Sequence, residues 1–366
     1  MSLSVGIVGL PNVGKSTLFT ALTKNEVLIA NYPFATIDPT VGVVTVPDGR
    51  LATLSSISGS SKIIPAIVEF VDIAGLVKGA SDGEGLGNQF LANIREVDMI
   101  AEVVRIFEDE EIHHVAGAVD PKADIEVINL ELTIADSETV GKRLNSVERD
   151  AKRGDKDSLA EKAVLERLKP HLDAGLMANS LELNEDELKI VKGLHLLTIK
   201  PILYICNKKQ GSLNLDDQSD ERWHELVEYF EELKAPYVVV DAGVEHELRD
   251  LAEDEKLEFR REYGTLDSGI DTMIRACYDR LGLISFFTTG EKETRAWTIT
   301  AGSTGPEAGA AIHSDFRDKY IRAQVITFED FVQYGGTAKA RDAGKLRIEG
   351  KSYIVADGDV IEFMHS

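Results

Sequence analysis

The chain has 366 residues, of which 43% are hydrophobic and 28% are charged, so a disordered or fibrous protein is excluded and about two or three domains are expected. Acidic residues outnumber basic ones by 63 to 40, and the net charge of −23 opposes binding to nucleic acid or an anionic membrane except through local basic patches. Two cysteines are too few for a secreted disulfide framework, and no stretch reaches the ~18 apolar residues of a membrane span. We therefore expect a cytoplasmic protein with no membrane partner.

Short apolar runs alternate with helical patterns along the first part of the chain. Strands separated by helices are typical of βαβ units, so the alternation predicts an α/β fold with a mostly parallel sheet. The first helix is expected at 15–22, directly after a glycine-containing loop. The predicted strands are 3–8, 41–46, 67–73, 99–107, 201–206 and 236–240.

The alternation stops between about residues 125 and 172, where no strand is predicted. Apolar residues recur there every three to five positions, and the segment Lys152–Asp157 (KRGDKD) interrupts the pattern. This arrangement predicts an antiparallel coiled-coil hairpin inserted between two strands. Its tip, 142–157, has six Lys or Arg against four Asp or Glu. The insertion is either a packing subdomain or an arm that contacts a partner.

The last segment has short strand patterns and nearly balanced charge. From 284 to 366 there are 10 basic and 12 acidic residues, and Asp357-Gly358-Asp359 predicts a tight turn between the last two strands. A small separate α+β domain is expected. The predicted strands are 284–288, 297–300, 321–326, 352–355 and 360–364. The expected domains are the α/β domain at 1–124 and 198–282, the helical insertion at 125–197 and the C-terminal domain at 283–366.

The glycine-containing loop before the first helix has a phosphate-binding pattern. Gly9–Ser16 matches G-x-x-x-x-G-K-[ST], in which backbone N–H groups surround phosphate oxygens at the positive end of a helix. Lys15 is expected to reach the outer phosphates, and the Ser16 hydroxyl to bind magnesium. Asn12 either shapes the loop or helps to hold a potassium ion. The pattern predicts a nucleoside triphosphate site.

Two further segments occupy the positions where GTPase-like proteins sense the nucleotide. Asp72 ends a predicted strand and forms D-x-x-G with Gly75. The carboxylate is expected to hold magnesium, usually through water, and the Gly75 N–H to sense a γ-phosphate. Thr36, between the first helix and the second strand, is the best-placed hydroxyl there for magnesium and the γ-phosphate.

The segment Asn207-Lys208-Lys209-Gln210 follows a predicted strand where GTPases have N-K-x-D. The aspartate of that motif accepts two hydrogen bonds from guanine, whereas the Gln210 amide has one acceptor oxygen and a donor NH₂. An amide can instead pair with adenine N1 and N6. Asn207 and Lys208 remain able to bridge loops and stack on the base. The sequence therefore argues against strict guanine specificity and favours ATP or relaxed specificity.

The residue after the D-x-x-G glycine is Leu76, where Ras-like enzymes use a glutamine to orient the attacking water. Leucine cannot perform that role. Hydrolysis is therefore slow, or another group or a partner supplies the contact. His113 and His114 follow a buried strand and are either candidates for this role or solvated loop residues.

Together these segments resemble the YchF family of Obg-like ATPases over essentially the whole chain. The resemblance rests on GLPNVGKST, NYPFAT, FVDIAGLVKGA with GEGLGNQFL, the hairpin, and the C-terminal RAWTI, IHSDF, YIRAQVI and GKSYIVADGDVIEF. It implies a coiled-coil arm within the P-loop domain, a C-terminal TGS domain, ATP hydrolysis and association with ribosomes. It assigns His114 the role of the missing glutamine, although the family usually has Glu where this chain has Gln210. The phosphate-binding residues that it implies are Asn12, Val13, Gly14, Lys15, Ser16 and Thr17.

The predicted function is a magnesium-dependent ATPase that acts as a nucleotide-dependent switch on the ribosome, in translation or stress regulation. We expect a monomer that binds the large subunit, with potassium as a further candidate cofactor. The alternatives are a GTPase or dual-specificity NTPase, and a nucleotide-gated binding module with negligible hydrolysis. Partner contact is expected at the hairpin tip and at 339–351, which has five basic and two acidic residues. The catalytic assignments are Lys15, Gly75 and His114; the base contacts are Asn207, Lys208 and Gln210; the metal ligands are Ser16, Thr36 and Asp72.

Overall fold

The chain forms two units in a computed structural model that describes residues 3–23, 41–73, 86–109, 112, 118–217, 220–262 and 268–365, with the backbone alone at 86–89, 253 and 365. Unit 1 comprises Leu3–Gly42 and Glu69–Met273. Unit 2 comprises Val43–Val68 and Ile274–Ser366. An early segment of the chain thus belongs with the C-terminal residues, a grouping that differs from the domain boundaries expected from the sequence.

The strands and helices follow in chain order. The strands are β1 (Ser4–Val8), β2 (Val41–Thr45), β3 (Ile63–Ile64), β4 (Ile67–Asp72), β5 (Met99–Arg105), β6 (Phe107–Glu108), β7 (Ile202–Asn207), β8 (Leu213–Asn214), β9 (Tyr237–Val240), β10 (Leu283–Thr289), β11 (Thr294–Thr300), β12 (Tyr320–Ile326), β13 (Arg347–Glu349) and β14 (Val360–His365). The helices are α1 (Lys15–Thr23), α2 (Arg50–Ser58), α3 (Leu86–Glu96), α4 (Pro121–Ala151), α5 (Lys156–Asp173), α6 (Glu185–Lys192), α7 (Glu221–Leu233), α8 (Ala242–Leu248), α9 (Glu253–Glu262), α10 (Gly269–Arg280), α11 (Gly305–Ile312), α12 (Ser314–Asp318), α13 (Phe328–Tyr334) and α14 (Thr337–Asp342).

The first sheet has the order β2-β4-β1-β5-β7-β9 among the described residues. β1 pairs in parallel with both β4 and β5, and β5, β7 and β9 continue the parallel pairing. Every residue of β5 and β7 is buried, as expected for central strands of a parallel sheet that is covered on both faces. The predicted α/β class is therefore confirmed. No helix of the described ranges is long and apolar enough to cross a membrane.

The inserted segment forms a hairpin of two helices. Asp120 caps α4 by accepting a hydrogen bond from the N–H of Ala123, and Pro121 occupies the first helical position. Asp155 caps α5 by accepting the N–H of Ser158. α4 and α5 bury a shared apolar core, and Arg143 forms an ion pair with Glu161 across them. The predicted antiparallel hairpin is confirmed, with its turn at 152–155. The core residues are Val140, Val147, Val164, Leu165, Leu168 and Leu172, joined by Ala178, Val191 and Leu196 from the chain that follows.

Within unit 2, the sheet has the order β13-β12-β14-β10-β11-β3 in the part of the chain that the structure describes. The edge strands β3 and β13 were not predicted, and both have only two or three residues. The strand predicted at 352–355 is wrong: one bridge joins Ile354 to Thr304. The chain there is bonded to the start of α11: the carbonyl of Tyr353 accepts the N–H of Gly305, and the N–H of Val355 donates to the carbonyl of Ser303. The tight turn at Gly358 is confirmed.

Candidate functional site

The loop between β1 and α1 folds back on itself through left-handed backbone conformations. Gly9, Asn12 and Gly14 have φ values of 152°, 65° and 99°. Asparagine is among the few side chains that tolerate such a conformation, which gives Asn12 a role in shaping the loop. α1 begins at Lys15, and its first turn is closed by a 3.0 Å bond from the Leu18 N–H to the Gly14 carbonyl. The loop thus leads directly into a helix N-terminus.

Two of the loop glycines are also required by space. A Cβ atom at Gly9 would lie 2.5 Å from the carbonyl oxygen of Val103 in β5, and one at Gly14 would lie 2.2 Å from Nδ2 of Asn207. Both neighbours are held in place, the first by the sheet and the second by its own hydrogen bonds. Any larger residue would therefore displace the loop from β5 or from Asn207.

Lys15 lies inside this loop with only 8% of its surface exposed. Its Nζ donates a 2.7 Å hydrogen bond to the carbonyl of Leu10. Burial lowers the pKa of Lys15 to about 8, and the negative charge of Asp72 partly opposes that change. Burial likewise raises the pKa of Asp72 at the end of β4, while Lys15 lowers it. The site therefore holds a confined cation with a carboxylate nearby, and Ser16 and Thr17 are exposed on the first turn of α1.

Asn207, the last residue of β7, joins two loops. Its Nδ2 donates to the carbonyl of Val13 at 2.8 Å, and its Oδ1 accepts the N–H of Ala242 at 3.0 Å. The amide is 4% exposed, and both ends of it are in use. Asn207 thereby fixes the phosphate loop against the start of α8.

Asn207 and the three residues after it form a tight loop, which we call the base loop (207–210). The ammonium group of Lys208 lies 3.5 Å from carboxylates of both Asp216 and Asp217. The side chain of Lys209 forms an ion pair with Asp109. Gln210 donates its backbone N–H to the carboxylate of Asp241 at 2.6 Å, and its side chain is exposed and makes no hydrogen bond to any residue that the structure describes.

Asp241 was not predicted as a site residue. Its carboxylate caps α8 by accepting the N–H of Val244 at 2.9 Å, in addition to that of Gln210. Burial raises its pKa, and the hydrogen bonds that it accepts oppose the rise. An aspartate that follows a strand and precedes a helix is a recognisable N-cap signal, so the sequence contained an indication of the cap but not of the contact with the base loop.

Arg105, which ends β5, is a second residue that was not predicted. Its guanidinium group is 1% exposed and donates to the carbonyls of Phe107, Asp109 and Ile112, at 2.9, 3.2 and 3.0 Å respectively. Burial lowers its pKa, and nearby carboxylates, Asp109 first among them, oppose that change. Arg105 therefore fixes the carbonyl groups of Phe107, Asp109 and Ile112 relative to the end of β5.

The structure brings the phosphate loop, Asp72 and the base loop to the carboxyl ends of β1, β4 and β7, which is where ligands bind in open α/β sheets. Several predicted residues lie outside the described ranges, and their positions are not part of this geometry. They are Thr36, Gly75, Leu76, His113 and His114.

Comparison with known proteins gives two family models that match this chain. One, described as "50S ribosome-binding GTPase", matches residues 4–134. The other, the YchF-GTPase C-terminal model described as "Protein of unknown function (DUF933)", matches residues 283–366.

Similar proteins cover nearly the full chain. "Ribosome-binding ATPase YchF" of Bacillus subtilis is 50% identical over 363 residues, 99% of each chain. The protein of the same name from Escherichia coli O157:H7 is 49% identical over 364 residues, 100% of this chain and 99% of the other. A solved structure, "Structure of the Schizosaccharomyces pombe YchF GTPase", has a TM-score of 0.89 at 35% identity and covers 99% of this chain and 98% of that chain.

Proposed function

Because this chain belongs to the YchF family, we propose that it binds and hydrolyses ATP and that the bound nucleotide controls its association with the ribosome. Its bacterial relatives are named ribosome-binding ATPases. The observation that carries the proposal is the buried Lys15 ammonium, held at a helix N-terminus beside Asp72. A confined cation at a helix N-terminus is suited to binding a polyphosphate.

Lys15 is the group proposed to bind the outer phosphates, with backbone N–H groups of 12–17 around the remaining oxygens. Ser16 and Asp72 are the proposed magnesium ligands on the described chain. Ser16 offers an exposed hydroxyl and Asp72 a half-buried carboxylate, and magnesium prefers such oxygen donors while keeping phosphate and water in its remaining positions. When bound, magnesium would neutralise charge on the phosphate oxygens. Lys15→Ala should abolish ATP binding or hydrolysis, and wild-type turnover by this variant would contradict the assignment.

ATP is proposed over GTP because of Gln210. Its exposed amide offers one acceptor and one donor, which suits adenine better than the two donors of guanine. A relative from yeast is described as a GTPase, so dual specificity is the alternative. Equilibrium binding of non-hydrolysable ATP and GTP analogues, measured side by side with magnesium, tests the preference. Gln210→Asp should shift the preference toward GTP, and equal affinities in wild type and variant would remove Gln210 from base selection.

Hydrolysis is proposed to use His114, Gly75 and Thr36, whose roles rest on the family resemblance. Leucine at position 76 cannot orient water, and a histidine in the loop beyond Arg105 is the proposed substitute. His114→Ala should reduce turnover with little change in ATP affinity. An unchanged rate would return His114 to a solvated loop role. A separate proposal, potassium at Asn12, predicts faster turnover in KCl than in NaCl at equal ionic strength.

Association with the ribosome distinguishes a switch from a plain ATPase. Cosedimentation with ribosomes should depend on whether ADP or a non-hydrolysable ATP analogue is bound, and separated subunits should show binding to the large one. If association with the ribosome is the same with either nucleotide, the protein is an ATPase that does not act as a switch. Negligible turnover with intact nucleotide-dependent association would favour the binding-module alternative. Light scattering tests the proposed monomer.

A further inference from the structure

A buried asparagine outside the predicted motifs is bonded to the backbone of the base loop on both of its polar ends. Asn214 in β8 is 5% exposed. Its Oδ1 accepts the N–H of Lys209 at 2.9 Å, and its Nδ2 donates to the carbonyl of the same residue at 3.1 Å. Nδ2 also lies 3.3 Å from the carbonyl of Ser212 and 3.2 Å from Oδ2 of Asp217. One side chain therefore satisfies both backbone groups of Lys209.

Asn214 is itself held by the sheet. β8 pairs with β6 in an antiparallel register, with Asn214 opposite Phe107. The N–H of the next residue, Leu215, donates to the carbonyl of Ile106 at 2.9 Å, and the N–H of Ile106 donates to the carbonyl of Asn207 at 3.0 Å. These bonds fix the position of the Asn214 amide relative to the ends of β5 and β7.

Each residue of the base loop has an anchor of its own. The Asn207 side chain bonds to Val13 and Ala242, and the N–H of Lys208 donates to the carbonyl of Val240 at 2.9 Å. Asn214 then holds Lys209, and Asp241 holds the N–H of Gln210. The loop is thus anchored at four consecutive positions, while the side chain of Gln210 is exposed.

We propose that Asn214 is a positioning residue that holds the base loop in the conformation that binds the nucleotide base. The proposal deepens the proposed nucleotide-binding function and rests on it. The asparagine amide carries both the acceptor oxygen and the donor NH₂ that these two bonds use, whereas leucine and alanine carry neither. Without it, the Lys209 N–H loses its partner and the Lys209 carbonyl keeps only the N–H of Ser212 at 3.2 Å. The loop must then be ordered again when a base binds, which lowers affinity.

The test separates base binding from phosphate binding. Wild type, Asn214→Leu and Asn214→Ala are titrated calorimetrically with ATP and, separately, with inorganic tripolyphosphate, both with magnesium. Asn214→Leu should weaken ATP binding by about tenfold or more and tripolyphosphate binding by less than about twofold. Asn214→Ala leaves room for a water and should show a smaller loss in the same direction. If circular dichroism shows that the leucine variant is unfolded, the alanine variant alone is used for the test.

The matched control is Asn129→Leu, which removes another buried amide whose Nδ2 donates to the hydroxyl of Tyr204 at 3.2 Å. Its affinities for both ligands should equal those of wild type. An equal loss for ATP and tripolyphosphate in the Asn214 variants, or no loss, would overturn the proposal. Two other results would contradict the proposed nucleotide-binding function itself: a wild-type protein that binds neither ligand, or a Lys15→Ala variant that binds ATP normally.

Discussion

Replacing Lys15 by methionine should stabilise the protein while it destroys the nucleotide site. Burial lowers the pKa of Lys15 from 10.5 to about 8, and at ~1.4 kcal/mol per pKa unit the buried charge costs about 3 kcal/mol of folding free energy at pH 7. The hydrogen bond to the Leu10 carbonyl returns about 1 kcal/mol. Lys15→Met removes both contributions, so the free energy of unfolding should rise by about 2 kcal/mol at pH 7.

The pH dependence gives the sign of the effect. Folded Lys15 loses its proton near pH 8, whereas in the unfolded chain it does so near pH 10.5. Between those values the unfolded state binds more protons, so wild-type stability gains from this residue as the pH rises. The variant has no such titration. Its advantage of about 2 kcal/mol at pH 7 should therefore fall below about 1 kcal/mol at pH 9.5.

Urea unfolding followed by circular dichroism at pH 7 and pH 9.5 measures both values. Lys142→Met is the control, because Lys142 is exposed on α4 and pairs with Glu138 at 3.4 Å, and it should change stability by less than about 0.5 kcal/mol at either pH. Two results would refute the reasoning: a Lys15→Met protein less stable than wild type at pH 7, or an advantage that grows with pH.

Three further predictions follow from the described contacts. Burial, followed by the charge of Asp124, raises the pKa of Glu102 well above its usual range. The wild-type protein should therefore lose up to ~1.4 kcal/mol of stability per pH unit as the pH rises above about 4.3. Glu102→Gln should abolish this loss, which is measured from unfolding free energies across pH 5–8. Asp136→Ala should cost about 3 kcal/mol in urea unfolding, because the fully buried carboxylate accepts the N–H groups of Leu197 and Thr198, both at 2.8 Å. Charge reversal at the hairpin tip (Lys152, Arg153 and Lys156) should weaken cosedimentation with ribosomes and leave ATP affinity unchanged; undiminished cosedimentation would remove the tip from the interface.

The parts of the fold that were predictable are those with a strong local pattern. The buried strand β7 is an almost continuous apolar run, and β5 is mostly apolar, with Glu102 inside it and Arg105 at its end. The hairpin has caps and a helical apolar stripe. The type and approximate limits of these elements therefore followed from the sequence. The segment 352–355 looked like a strand because Tyr353, Ile354 and Val355 are good strand formers. Its backbone groups instead bond to residues at the start of α11, a long-range contact that no local pattern indicates.

The same distinction applies to the site. The phosphate loop was predictable because its backbone must adopt conformations that only a few residue types allow, and those residue types form a recognisable sequence pattern. Asn214 and Arg105 act through hydrogen bonds to carbonyl and N–H groups of residues nearby, and an isolated asparagine or arginine shows no pattern of its own. Thr36, Gly75 and His114 remain predictions, because they lie outside the described ranges.

Unit 2 is built from two segments that are far apart in the sequence, and this affects how it folds during synthesis. Its edge strand β3 pairs with β11, and Arg50 forms an ion pair with Asp357 at 2.6 Å and stacks over Phe287. These partners leave the translating ribosome more than 200 residues after Val43–Val68, a delay of roughly 10–40 s at ~5–20 residues per second.

During that interval the early segment has none of these unit 2 partners. Conversely, a fragment limited to 283–366, the range of the matching C-terminal family model, would lack β3 and leave an edge of β11 uncovered, which favours aggregation. The C-terminal unit therefore completes its folding only when both ends of the polypeptide are available, and premature termination removes the partners of a segment near the start of the chain.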